Sequence, residues 1–255
     1  MIRVTRGAAP DGFAERAAVW EQRFAAGRRE QAKPSASAFW SRVRSEIKAD
    51  AEELRRRFHG KCAFCEAKME HVANPHIEHY RPKSRREFER FMFAWDNWLL
   101  SCGRCNQSKW AHFPMAGDKP CLLNPAADDP RVHLDFHRAA ILDLSPRGLD
   151  TIRLLGLARM PLKSERASWL CRIDSLLLLA SSSQSAQVRT DSRSHLIWAM
   201  QDDAPYSAMT TAYLRTKAPK LANPSVPHPY IAEADRIERI RELIEVHADE
   251  IAQIE

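Results

Sequence analysis

The sequence predicts an α+β fold: a mainly α-helical chain with a small strand-containing subdomain embedded in it. Three observations predict it. Helix-forming stretches with apolar residues at helical spacing occupy both ends of the 255-residue chain, prolines cut the middle into short alternating runs, and two C-x2-C pairs bracket that middle. With 44% hydrophobic and 28% charged residues, the composition is that of a globular protein and not of a disordered or fibrous one. No apolar run approaches the roughly 20 residues that cross a bilayer. The stretch Met1 to Gly12 lacks the apolar run of a signal peptide. A cytoplasmic protein with no membrane partner is therefore expected.

The first segment, 1–57, reads as two helices, over 13–27 and 39–58, separated at Lys33-Pro34-Ser35. The second places Phe39, Val43, Ile47, Leu54 and Phe58 at helical spacing. The subdomain follows at 58–115, where Pro75 and Pro82 punctuate short strands and loops. Phe88 to Leu100 reads as an aromatic-rich turn or helix in which Trp95 and Trp98 are core residues. A proline-rich connection spans 116–148. The C-terminal region, 149–255, reads as helices over about 149–158, 162–180, 191–202 and 205–217, then a four-proline loop over 218–229. A last amphipathic helix over 231–255 carries an isoleucine stripe, with eight acidic against three basic residues. It is a candidate docking surface for a partner.

Charge is unevenly placed within the net +6. Residues 1–110 hold 22 basic and 14 acidic side chains, and residues 111–255 hold 17 and 19. A polyanion would dock on the first half. Cysteine spacing sharpens that reading. Cys62 and Cys65, then Cys102 and Cys105, are two C-x2-C pairs with 36 residues between them. Four thiolates at tetrahedral corners form the closed arrangement of structural zinc, with no position left for a substrate. Such a metal staples the fold, so any chemistry lies elsewhere. Cys121 and Cys171 stand alone and read as small buried hydrophobes.

Beside the cysteines stand Glu78-His79-Tyr80-Arg81-Pro82-Lys83, Trp95-Asp96-Asn97-Trp98 and Cys105-Asn106-Gln107-Ser108-Lys109. An acid-His pair, a central Asn and an Asn directly after the second C-x2-C pair, in that order, resemble the motif of HNH (ββα-metal) endonucleases. The resemblance implies a zinc-stapled ββα-metal subdomain. It makes His79 the general base, Asn97 the residue that pins the base-bearing loop, and Glu78 and Asn106 the ligands of a catalytic Mg²⁺ or Mn²⁺, for which oxygen donors are suited. Glu stands at 78 where Asp is frequent, and Asn at 106 where the motif's name expects His. Because neighbours on a strand point to opposite faces, Glu78 and His79 can serve one site only if the strand ends or bulges there. Arg81, Lys83, Arg85 and Arg86, with Arg104 and Lys109 around the second pair, are candidate phosphate contacts. His76, close by, reads as a surface or packing residue.

Stretches between 61 and 157, among them Lys61-Cys62-Ala63-Phe64-Cys65-Glu66 and Leu122-Leu123-Asn124-Pro125, are similar to the PtuB-like branch of HNH nucleases from Septu and retron-associated antiphage systems. That branch implies an SMC-like or ABC-type ATPase partner. This chain has no GxxxxGK[ST] loop, so the ATPase would be a separate polypeptide. DNA is the expected substrate. The residues leave open an RNA (tRNA) nuclease using the same site and a non-catalytic zinc-stapled nucleic-acid-binding module.

Overall fold

A computed structural model describes residues 1–29, 35–69 and 75–217. The helix expected over 231–255 and the loop before it lie outside the described residues. The fold is α+β. Helix α1 (Phe13–Arg29) buries Phe13, Ala17 and Trp20. The single helix expected over 39–58 is two, α2 (Ala36–Arg42) and α3 (Lys48–Arg57), with a turn between them. The turn lets the chain wrap around the core: Val43 is 0% and Ile47 2% exposed, although both sit in or beside the break. The apolar stripe read from the sequence is thus buried throughout, on two helices.

Strands β1 (His76–His79) and β2 (Trp98–Ser101) pair antiparallel, with Glu78 opposite Leu99 and His79 opposite Trp98. Between them the aromatic stretch forms two 3-10 turns, Arg86–Phe91 and Trp95–Asn97. Helix α4 (Gly103–Lys109) follows β2 at once, N-capped by the Cys102 sulfur, which accepts from the Cys105 N–H. The segment 116–148 is more than a connection. It holds the second strand of a short hairpin, β3 (Met115–Ala116) with β4 (Lys119–Pro120), and a longer hairpin of β5 (Leu134–His137) and β6 (Ala140–Asp143). Leu134, Asp135 and Phe136 on β5 are all buried, so burial does not simply alternate along this strand.

Helix α5 (Pro146–Leu155) begins at a Ser145 cap and ends at Gly156, which takes φ 57° and closes the helix in the left-handed conformation. Helices α6 (Met160–Ser182) and α7 (Ala186–Trp198) pack as a hairpin, and α8 (Ser207–Lys217) packs on β5. Cys171, expected to be buried, is exposed on α6, whose outer face carries it into solvent; Cys121 is buried. No helix among the described residues is long and apolar enough to cross a membrane.

The N-terminal helices and the β1–β2 hairpin share one aromatic core. Phe13 meets Trp98 edge-on at 5.2 Å, and Trp40 meets Trp98 at 5.3 Å. The expectation that Trp95 and Trp98 are core residues is met, at 7% and 0% exposure. Glu66 is fully enclosed, with the Met1 ammonium 2.5 Å away, Lys61 at 3.5 Å and a bond from the Ser207 hydroxyl. Burial alone would raise its pKa. The two cations outweigh burial and hold it at about 2.

Candidate active site and metal centre

The two C-x2-C pairs converge. The Sγ atoms of Cys62, Cys65, Cys102 and Cys105 all lie within 4.8 Å of one another, and Cys65 and Cys102 are 3.9 Å apart at sulfur. A tetrahedral zinc with sulfurs at about 2.3 Å requires sulfur separations of about 3.8 Å. The four residues could therefore hold a metal such as zinc. Their surroundings suit a thiolate cluster: Arg159 Nη2 lies 3.7 Å from Cys105 Sγ, and the Cys105 N–H donates to Cys102 Sγ at 3.4 Å. Hydrogen bonds from Cys105 and the other two sulfurs pull the Cys102 thiol far below its ordinary range.

A cavity of about 610 Å³ is lined by Glu78, His79 and Asn106 together, the last being the residue after Cys105. Glu78 and His79 are the last two residues of strand β1, and both line the cavity although they are neighbours along the strand. Glu78 and His79 are its deeply buried titratable members, 4% and 2% exposed. Trp40, Arg44 and Lys48, from α2, α3 and the turn between them, form another part of the lining, with Lys83 and Trp110. None of these except Lys83 was singled out from the sequence, because they lie far from the motif along the chain.

His79 is held in one tautomer. Its Nε2 lies 3.0 Å from the Met92 carbonyl, which also accepts the Trp98 indole N–H at 2.8 Å. A carbonyl only accepts, so Nε2 carries the proton and Nδ1 presents its lone pair. Lys83 Nζ stands 3.5 Å from Nδ1. Burial first, and then the Lys83 charge, hold the His79 pKa well below its ordinary value, so the ring is neutral at physiological pH. The edge of Trp40 packs against the ring with centroids 4.4 Å apart, which fixes its orientation.

Asn97 is 2% exposed and spends its amide on backbone. Oδ1 accepts from the Arg81 N–H at 2.7 Å, and Nδ2 donates to the Arg81 and Phe91 carbonyls at 3.0 Å each. These bonds hold the chain immediately after His79 against the turn before β2.

Lys109 corrects an expectation. Read as a phosphate contact, it is 0% exposed, with Nζ 2.7 Å from Glu78 Oε1 and 2.8 Å from the His79 carbonyl. It therefore cannot reach a phosphate as placed. It is a buried counter-ion that ties α4 to β1, and no local signal distinguishes it from a solvated lysine. Burial pushes Glu78 up and Lys109 opposes this. Replacing Lys109 with Met is expected to destabilise the fold by about 3 kcal/mol, because it strands a buried carboxylate and a carbonyl. Protonation of Glu78 limits the loss. Urea unfolding measures it; an unchanged midpoint would show that the pair contributes nothing.

The remaining candidates are spread around this centre. Arg86 and Arg104 are exposed, Arg81 lies over the Phe91 ring at 4.4 Å, and Arg85 pairs with Glu87 at 2.6 Å. None of these four arginines lines the cavity; His76 does.

The site thus combines a cluster of four cysteines that could hold a metal, a strand hairpin running into a helix, and a recessed cavity lined by a neutral imidazole, a carboxylate and three basic side chains. The chain is similar to the Septu protein PtuB of Bacillus mycoides (strain KBAB4), 33% identical in an alignment of 142 positions that covers 45% of this chain and 48% of that protein. It is also similar to the Septu protein PtuB of Bacillus thuringiensis, 28% identical over 101 positions, covering 39% and 37% of the two chains. The similarity spans about half the length of the first relative and less of the second. No family model matches the chain.

Proposed function

We propose that this protein is a metal-dependent HNH endonuclease that hydrolyses the phosphodiester bonds of DNA. The observation that carries the reading is the convergence of Glu78, His79 and Asn106 on one cavity, with the imidazole held as a base beside the four-cysteine centre.

In this reading His79 Nδ1 takes the proton of the attacking water. Asn97 keeps the backbone after His79 in place, and Lys109 orients Glu78. Glu78 and Asn106 would hold Mg²⁺ or Mn²⁺. Because Lys109 occupies Oε1, the second carboxylate oxygen is the one available to a cation. The ion supplies neutralisation of charge on the phosphate when bound. Lys83, Arg44 and Lys48 give the cavity a positive lining for the phosphate, and Arg81, Arg85, Arg86 and Arg104 contact the backbone farther out. The similarity to two Septu PtuB proteins supports a role as the nuclease component of an antiphage system, working with a separate SMC/ABC-type ATPase.

The test is incubation with supercoiled plasmid and, separately, total tRNA, with Mg²⁺ or Mn²⁺ and with EDTA, alone and with a candidate SMC/ABC-type ATPase partner. Metal-dependent nicking of plasmid is expected. Cutting confined to tRNA would make it an RNA nuclease, and binding without cutting in every condition would leave a zinc-stapled binding module.

A further inference from the structure

Trp110 is the most exposed of the large apolar side chains among the described residues, at 72%, yet it sits where the fold is tightly determined. It follows Lys109 directly at the end of α4. Its N–H donates to the Asn106 carbonyl at 2.8 Å, and the His112 N–H donates to the Lys109 carbonyl at 2.8 Å. Between these bonds the Trp110 backbone takes φ 45° and ψ −129°, a conformation that favours glycine and strains a bulky aromatic residue. A strained residue with an unburied ring gains nothing for the core. Its place answers what it gains: it lines the same cavity as Glu78, His79 and Asn106.

The rest of the lining specifies a ligand. Arg44, Lys48 and Lys83 supply positive charge against the single carboxylate of Glu78. The reacting groups are recessed, so a phosphate must enter the cavity to meet Nδ1. Cations that follow a strand's phosphates, next to an aromatic face, are the elements that bind unpaired nucleotides, since every base offers a π-face.

We propose that Trp110 is a positioning residue that stacks an unpaired base adjacent to the scissile phosphate, so that the enzyme selects single-stranded or locally unpaired nucleic acid over continuous duplex. This rests on the nuclease reading and adds the substrate form to it.

The experiment compares the unaltered protein with Trp110→Gly and Trp110→Phe. Cleavage kinetics are measured on dye-labelled single-stranded oligonucleotides, deoxy and ribo in separate arms, and on the matching DNA duplex. Binding is followed by fluorescence anisotropy in a His79→Gln background. Trp110→Gly is expected to raise KM and Kd for the single strand about tenfold, the size of one lost stacking contact, with kcat held and the melting temperature equal or higher. Trp110→Phe keeps most of the affinity. Unchanged KM and Kd in Trp110→Gly, or an equal loss on duplex, overturns the proposal while leaving the nuclease reading intact; an indole that serves a protein partner gives the first of these results. If the unaltered protein, alone and with a candidate SMC/ABC-type ATPase partner, neither binds nor cuts any of the oligonucleotides, the nuclease reading fails and the proposal fails with it.

Discussion

His79→Gln is expected to lower the rate of phosphodiester cleavage by about 10² to 10⁴-fold, the range that a positioned general base contributes. Glutamine is the informative replacement. Its amide can still donate to the Met92 carbonyl where Nε2–H does now, but it has no lone pair of imidazole basicity in place of Nδ1. Alanine would instead open a void against Trp40 and Trp98 and confuse lost packing with lost chemistry. Plasmid nicking, metal content and thermal unfolding measured together separate the two effects. A variant that cuts at the unaltered rate would remove His79 from the chemistry.

Cys102→Ser is expected to have the largest effect on the fold. The four cysteines come from two stretches, the turn before β1 and the start of α4, and a metal on them joins those stretches directly. Structural zinc contributes about 10–16 kcal/mol to small zinc-dependent folds, comparable with the whole stability of about 5–15 kcal/mol typical of a domain. Loss of one thiolate also removes the sulfur that caps α4 through the Cys105 N–H. The variant is expected to purify without stoichiometric zinc and to lose the near-ultraviolet signal of the Trp40, Trp95 and Trp98 cluster. Zinc bound at the unaltered ratio in a folded variant would show that the cysteines do not form one centre.

Much of the candidate site was legible in the sequence because its signals are local. Two cysteines separated by two residues can face one point whatever surrounds them, and two such pairs specify a four-thiolate centre. The Glu78-His79 pair and Asn106 could be picked out from their places in the motif. The α+β class followed in the same way from helical periodicity at the ends and proline-punctuated runs in the middle. The stripe from Phe39 to Phe58 showed what would be buried, though not that its helix would break near Val43 and Ile47.

Tertiary packing decided the rest. Lys109 reads as a solvated charge until α4 lies against β1 and removes its water, leaving Glu78 and the His79 carbonyl as its partners. The tautomer of His79 depends on the carbonyl of Met92, which lies beyond the reach of any motif. The basic and aromatic lining of the cavity comes from Trp40, Arg44, Lys48 and Trp110, and all but the last belong to a segment far upstream. Spacing along the chain specifies groups that meet within a turn or two. Burial, charge pairing and proton placement depend on which elements pack together, and that is settled by the three-dimensional core.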